Sequence, residues 1–148
     1  MAVLLTHAMV ITMNPGREIL EDAAIYVNSD RIEEIGETVA LREKYRDCEE
    51  IECRDRVIIP GMVNTHTHLF QTLLKGLGDD RVLKDWFTCM TGPSAVHLTP
   101  EDCYAAARHG CVEAIKSGTT TLVDFMYAHP RGQLTEAVVR AFQETGMR

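Results

Sequence analysis

The sequence predicts an α/β protein in two parts: a small β unit over residues 1–60, then the first βα units of a parallel-sheet fold over residues 61–148. Three observations carry this. Short β-branched runs separated by tight-turn residues fill residues 1–60. After Pro60 the apolar period lengthens from strand-like to helical. From Val57 onward the order is strand, helices, strand, helix, the pattern of βα units around a parallel sheet.

Residues 3–13 read as one strand or two short ones, ended by Asn14-Pro15-Gly16. Residues 23–27 form a second strand, Asn28-Ser29-Asp30 a turn, and Arg31 to Ile35 the returning arm of a hairpin closed by Gly36. Residues 38–46 are polar and fit a short helix or a loop. Glu50 to Cys53 and Arg56 to Ile59 complete what reads as an antiparallel unit, too small to bury much alone.

Beyond it, Leu69, Phe70, Leu73, Leu74 and Leu77 recur at helical spacing before Gly76 and Gly78. Asp80 to Met90 repeats that spacing, with Gly92-Pro93 as an expected stop. The clearest helix has Thr99 as N-cap, Pro100 at its first position and Asp102 completing a capping box. Cys103, Ala106, Ala107, Gly110, Cys111, Ala114 and Ile115 form its apolar stripe, and Gly118 ends it. Thr119 to Phe125 is a β-branched strand containing Asp124. A helix from about Gln133 to Thr145 follows, capped by Gly146, and Met147-Arg148 would open a further strand. A barrel of eight such units takes about 250 residues, so residues 61–148 are expected to be only its beginning.

Composition narrows the function. Hydrophobic residues at 45% and charged residues at 25% are globular values. A net charge of −7 argues against a nucleic-acid or anionic-membrane surface. The opening residues lack the basic and long apolar regions of a secretory signal, and no run approaches a membrane span. The five cysteines, odd in number and without C-x-x-C spacing, fit a reduced interior, so a cytoplasmic location is expected. Cys103 and Cys111 share the helix's buried face; the spacing of Cys48 and Cys53 gives little support to a metal clip.

The chemistry gathers at Val57 to Phe70, a β-branched run that passes through Pro60-Gly61 and ends in His66-Thr67-His68. On a buried strand, alternate side chains share a face, so the two imidazoles converge while Thr67 points away. Two imidazoles alone rarely fill zinc's four-coordinate shell, and an isolated pair reads more readily as solvated or backbone-bonded histidines than as ligands. This pair, however, stands at the C-terminal end of a strand leading a βα series, where barrel ligand sites lie.

Pro60-Gly61-Met62-Val63-Asn64-Thr65-His66-Thr67-His68 resembles the first-strand motif of the amidohydrolase superfamily. Leu69 to Gly76, Asp85-Trp86-Phe87, the N-terminal strands and Ser117 to Asp124 narrow the similarity to its aminohydrolase branch, which includes S-adenosylhomocysteine, guanine and 8-oxoguanine deaminases and s-triazine hydrolases. The resemblance implies part of a small β-sandwich over residues 1–60, then the first units of a (β/α)8 TIM-like barrel. It implies that His66 and His68 are ligands of one catalytic zinc, or iron in some relatives. The other metal ligands and the proton-transfer groups would lie beyond Arg148. The implied reaction is hydrolysis of an amidine-like N-heterocycle such as a purine, pterin or s-triazine by metal-activated water. Dimers or larger homo-oligomers are common among such relatives.

Gln71 and Trp86 match positions lining the substrate pocket of relatives; an amide can read a heterocycle's edge and an indole can stack on its face. Gln71 also reads as a surface amide, and Trp86 as a core aromatic between Leu83 and Phe87. Asp124 reads as structural, His129 as a loop histidine within reach of substrate, and His109 as solvated; His7 and His97 gain no partner from the pattern. Two other readings stay open: half of a split enzyme completed by a partner chain, and a non-catalytic module built on this fold. Two barrel strands leave open edges and apolar helix faces, so association with further polypeptide is expected.

Overall fold

A computed structural model describes residues 2–148, which divide between Pro60 and Gly61 into two compact units. The first is a five-stranded sheet in the order β3-β2-β1-β4, with β5 also pairing β1. Its strands are β1 (Ala2–Ile11), β2 (Ile19–Asn28), β3 (Arg31–Glu37), β4 (Glu49–Glu52) and β5 (Val57–Ile58). β1, β2 and β3 pair antiparallel. β4 and β5 run parallel to β1, so the unit is mixed and not purely antiparallel. The cause is α1 (Thr38–Lys44), formed by the polar stretch after β3. It returns the chain to the starting end of the sheet, and β4 must then enter in the direction of β1.

The first strand is single but bulged, with register breaks between Leu5 and Ala8 and between Ala8 and Val10. His7 sits in this bulge at φ 56°. The extra residue shifts the side-chain parity. Leu5, Ala8 and Val10 therefore pack with Ala23, Ile25 and Cys53, while Leu4 packs on the other side with Ala24 and Leu41. The bulge also gives His7 the partner that the pattern withheld: its Nδ1 lies 3.0 Å from Asp22 Oδ1. That hydrogen bond, joined by one from the Thr38 hydroxyl, holds the Asp22 carboxyl below the usual carboxylate range.

The second unit pairs β6 (Met62–Thr67) with β7 (Thr119–Asp124) in parallel. A 3₁₀ turn (Leu69–Leu74) follows β6 where a longer helix was expected. Next comes a helical segment made of α2 (Leu83–Trp86), a π turn (Phe87–Thr91) and α3 (Gly92–Ala95). It does not stop at Gly92-Pro93. The Gly92 N–H reaches back to the Phe87 carbonyl, five residues away, and this wider turn admits a proline whose missing N–H would break a regular ladder.

α4 (Pro100–Lys116) begins with both halves of the Thr99/Asp102 capping box. The Thr99 hydroxyl and backbone N–H hold the Asp102 carboxyl below its ordinary value. Stability from this box is therefore complete above the ordinary aspartate pKa and is lost as the pH falls through the lowered one. Thr99→Ala should cost about 1 kcal/mol at pH 7. Thermal midpoints taken at pH 7 and near pH 2 should show that difference shrinking in acid.

Gly118 and Gly146 take left-handed φ just after α4 and after α5 (Leu134–Thr145). Past α5, the Arg148 N–H and carbonyl bond the Thr120 carbonyl and the Leu122 N–H, at 3.2 and 2.8 Å. This is the expected strand-like continuation along β7. The core gathers Leu69, Phe70, Cys103, Cys111, Leu122, Leu134 and Ala141 beneath the two long helices. Gly110 lets α4 approach the 3₁₀ turn, because a Cβ there would lie 2.6 Å from Leu69.

The strand carrying the histidines was expected to be buried, but Met62 to His66 are exposed. β6 has one hydrogen-bonded neighbour, and the sheet face bearing Val63, Val123 and Phe125 is uncovered. A parallel sheet normally has both faces covered. Among the described residues, no helix is long and apolar enough to cross a membrane.

Candidate metal centre

β6 ends by delivering His66 and His68 to one side, with ring centroids 5.2 Å apart and an interplanar angle of 79°. The backbone holding them is tied down locally. His66 N–H donates to Asn64 Oδ1 at 3.0 Å, and Phe125 N–H donates to the Thr67 carbonyl at 2.9 Å. His68 Nδ1 lies 2.8 Å from the Phe125 carbonyl oxygen. A carbonyl can only accept, so Nδ1 carries the hydrogen and the neutral ring keeps its lone pair on Nε2. A second ring nitrogen anchored in this way is the usual support of a metal-ligating histidine.

Asp124 closes the same corner, its Oδ1 accepting the Leu69 N–H at 2.7 Å just after His68. Burial pushes this carboxyl up; the Leu69 hydrogen bond and the nearby His68 oppose that shift. Its role in this structure is to hold the turn after β6. A recess of about 150 Å3 is lined by Thr65, His66, Thr67, His68, Val123 and Phe125. A larger one, about 890 Å3, is lined by residues of the β unit alone and includes no histidine.

The other residues singled out divide in two. The Gln71 side-chain amide donates to the Tyr127 hydroxyl, and the Tyr127 ring meets His68 edge-on at 5.0 Å, so Gln71 is linked to the pair. Trp86 is half-buried against Gly78, where a Cβ would collide with the indole. His129 is exposed, with Nε2 2.8 Å from the Met126 carbonyl. Neither Trp86 nor His129 lines the recess holding the histidines. Tyr127 and the Phe125 carbonyl escaped the sequence reading. The alternation of Phe125 and Tyr127 past the end of β7 was the signal for the first; a backbone acceptor leaves none.

The donor chemistry suits a zinc-like ion: two imidazoles converge, and the one at His68 is fixed in the tautomer that ligates through Nε2. Among the described residues no cluster of three or more potential ligands forms, so these two histidines would be a partial ligand set.

Two parallel strands with their helices after a small β unit form the opening of an α/β barrel-type fold. The chain belongs to the amidohydrolase family, which it matches over residues 57–148. It is 33% identical over 142 residues to a 5-methylthioadenosine/S-adenosylhomocysteine deaminase of Bacillus cereus, covering 96% of this chain and 32% of that protein. Its fold superposes on a variant of atrazine chlorohydrolase from Arthrobacter aurescens, complexed with zinc and atraton, with a TM-score of 0.85 and 21% identity. That match covers 99% of this chain and 34% of the other. Guanine deaminase of E. coli superposes with a TM-score of 0.78 at 24% identity, again over 99% of this chain and 35% of the other. The chain thus spans about a third of the length of the relatives it matches.

Proposed function

We propose that this chain is part of a metal-dependent aminohydrolase that removes an amine, or another leaving group, from an N-heterocycle such as a purine, pterin or s-triazine. The observation that carries the reading is the His66–His68 pair, with Nδ1 of His68 held on the Phe125 carbonyl. The similarity to a nucleoside deaminase and to zinc-complexed triazine hydrolase folds supports the same class.

In this reading His66 and His68 hold the ion through their imidazoles. A bound zinc, with iron the alternative, supplies water acidic enough to be hydroxide near neutral pH. Phe125 and Asp124 keep the ligand strand and its following turn in place. Gln71 offers an amide to the heterocycle's edge. Trp86, offering its indole to the heterocycle's face, and His129 complete the proposed substrate contacts. The remaining ligands and the groups that move protons come from polypeptide outside residues 1–148.

The test uses the full gene product. Metal analysis should find about one zinc per chain, as a mononuclear site requires. Ammonia release from 5-methylthioadenosine or guanine, or hydrolysis of atraton, should stop on chelation and return with zinc. A metal-free protein inactive on all three would end the proposal. Zinc retained only alongside a separate co-purifying chain would point to the split enzyme.

A further inference from the structure

We infer that Tyr127 is the positioning residue that locks the metal-strand histidine and the substrate-side amide into one rigid unit; this rests on the function proposed above. Tyr127 follows β7 by three residues and lies against His68. Its ring meets His68 edge-on at 5.0 Å and 81°, and Phe70 at 5.0 Å and 83°. Phe70 is fully buried, so the phenol ring is braced by the core on one side and meets the imidazole on another. His68 is therefore held at two points: Nδ1 by the Phe125 carbonyl and the ring by Tyr127. Such a ring has little freedom to turn its Nε2 away.

The hydroxyl does separate work. It accepts from Gln71 Nε2. With one amide N–H donated to Tyr127, the Gln71 side chain is held with Oε1 turned away from the phenol as its acceptor. An amide held this way selects a ring edge that presents an N–H donor. Without the hydroxyl, the amide is free to flip and loses that preference.

Ring and hydroxyl can be separated by mutation in the full-length protein. Tyr127→Phe keeps the ring, and Tyr127→Leu removes both. Zinc affinity is read by competition with a chromophoric chelator. KM and kcat are read on whichever of 5-methylthioadenosine, guanine or atraton the wild type turns over fastest, with the thermal midpoint recorded alongside. The Phe variant should keep its zinc affinity and kcat within about twofold while KM rises about tenfold, as expected for one lost hydrogen bond. The Leu variant should bind zinc about 10- to 100-fold more weakly, the usual cost of losing an outer support of a ligand. Wild-type zinc affinity in the Leu variant would overturn the inference. So would an unchanged KM in the Phe variant, or kcat and KM changes that merely follow a lowered thermal midpoint. If the wild type binds zinc but turns over none of the three compounds, the proposed function fails, and the zinc affinities alone decide the role of Tyr127.

Discussion

Replacing His66 and His68 together by alanine in the full-length protein is expected to abolish stoichiometric zinc and lower metal-dependent turnover by at least about a thousandfold. The magnitude follows from the several kcal/mol that a metal-activated water supplies to hydrolysis, each 1.4 kcal/mol being a factor of ten. Either single substitution should cost nearly as much as the pair, because groups that act as a unit are strongly non-additive. The fold should survive in the absence of metal. His66 is exposed and His68 only half-buried, so neither side chain fills the core. The thermal midpoint of the variant should therefore equal that of the chelated wild type, and adding zinc should raise only the wild type, through binding to the native state. Metal analysis, turnover and melting on one preparation check all three statements. A double variant that still turns over substrate in a zinc-dependent way would remove the histidine pair from the mechanism.

Local rules made part of this molecule legible. The strand period placed His66 and His68 on one side, and the Thr99/Asp102 box and its proline marked the start of α4 to the residue. What escaped depends on neighbours distant in sequence. The direction of β4 is set by where α1 returns the chain, which no pattern within β4 encodes. The parity change at His7 comes from a bulge, and bulges leave no periodic trace. Burial of β6 was inferred from its β-branched residues, yet burial is supplied by whatever covers the strand. With a single hydrogen-bonded neighbour, Val63 stays 63% exposed. The contacts that hold the histidine pair leave even less trace in the sequence. The Phe125 carbonyl and the Tyr127 ring meet His68 across more than fifty residues of sequence, and only the parallel pairing of β6 with β7 brings them together.

That pairing also links site and core, and Phe70 shows how strongly. Its side chain is completely buried, two residues after His68, in the cluster that joins the 3₁₀ turn to α4 and α5. Phe70→Ala is expected to cost about 3–5 kcal/mol, the range for emptying a fully packed aromatic site, whereas Phe70→Leu should cost only about 1 kcal/mol by largely refilling the volume. In urea the alanine variant should unfold at a midpoint lower by about 1–2 M with an unchanged slope. Phe70 lies between the core and Tyr127, and Tyr127 bears on His68, so zinc affinity should fall in the alanine variant and be restored in the leucine one. A loss of stability with no change in zinc affinity would mean that the backbone ties at Phe125 and Asp124 hold His68 without help from the aromatic ladder. A loss of both would mean that the ligand strand is only as rigid as the packing beneath it.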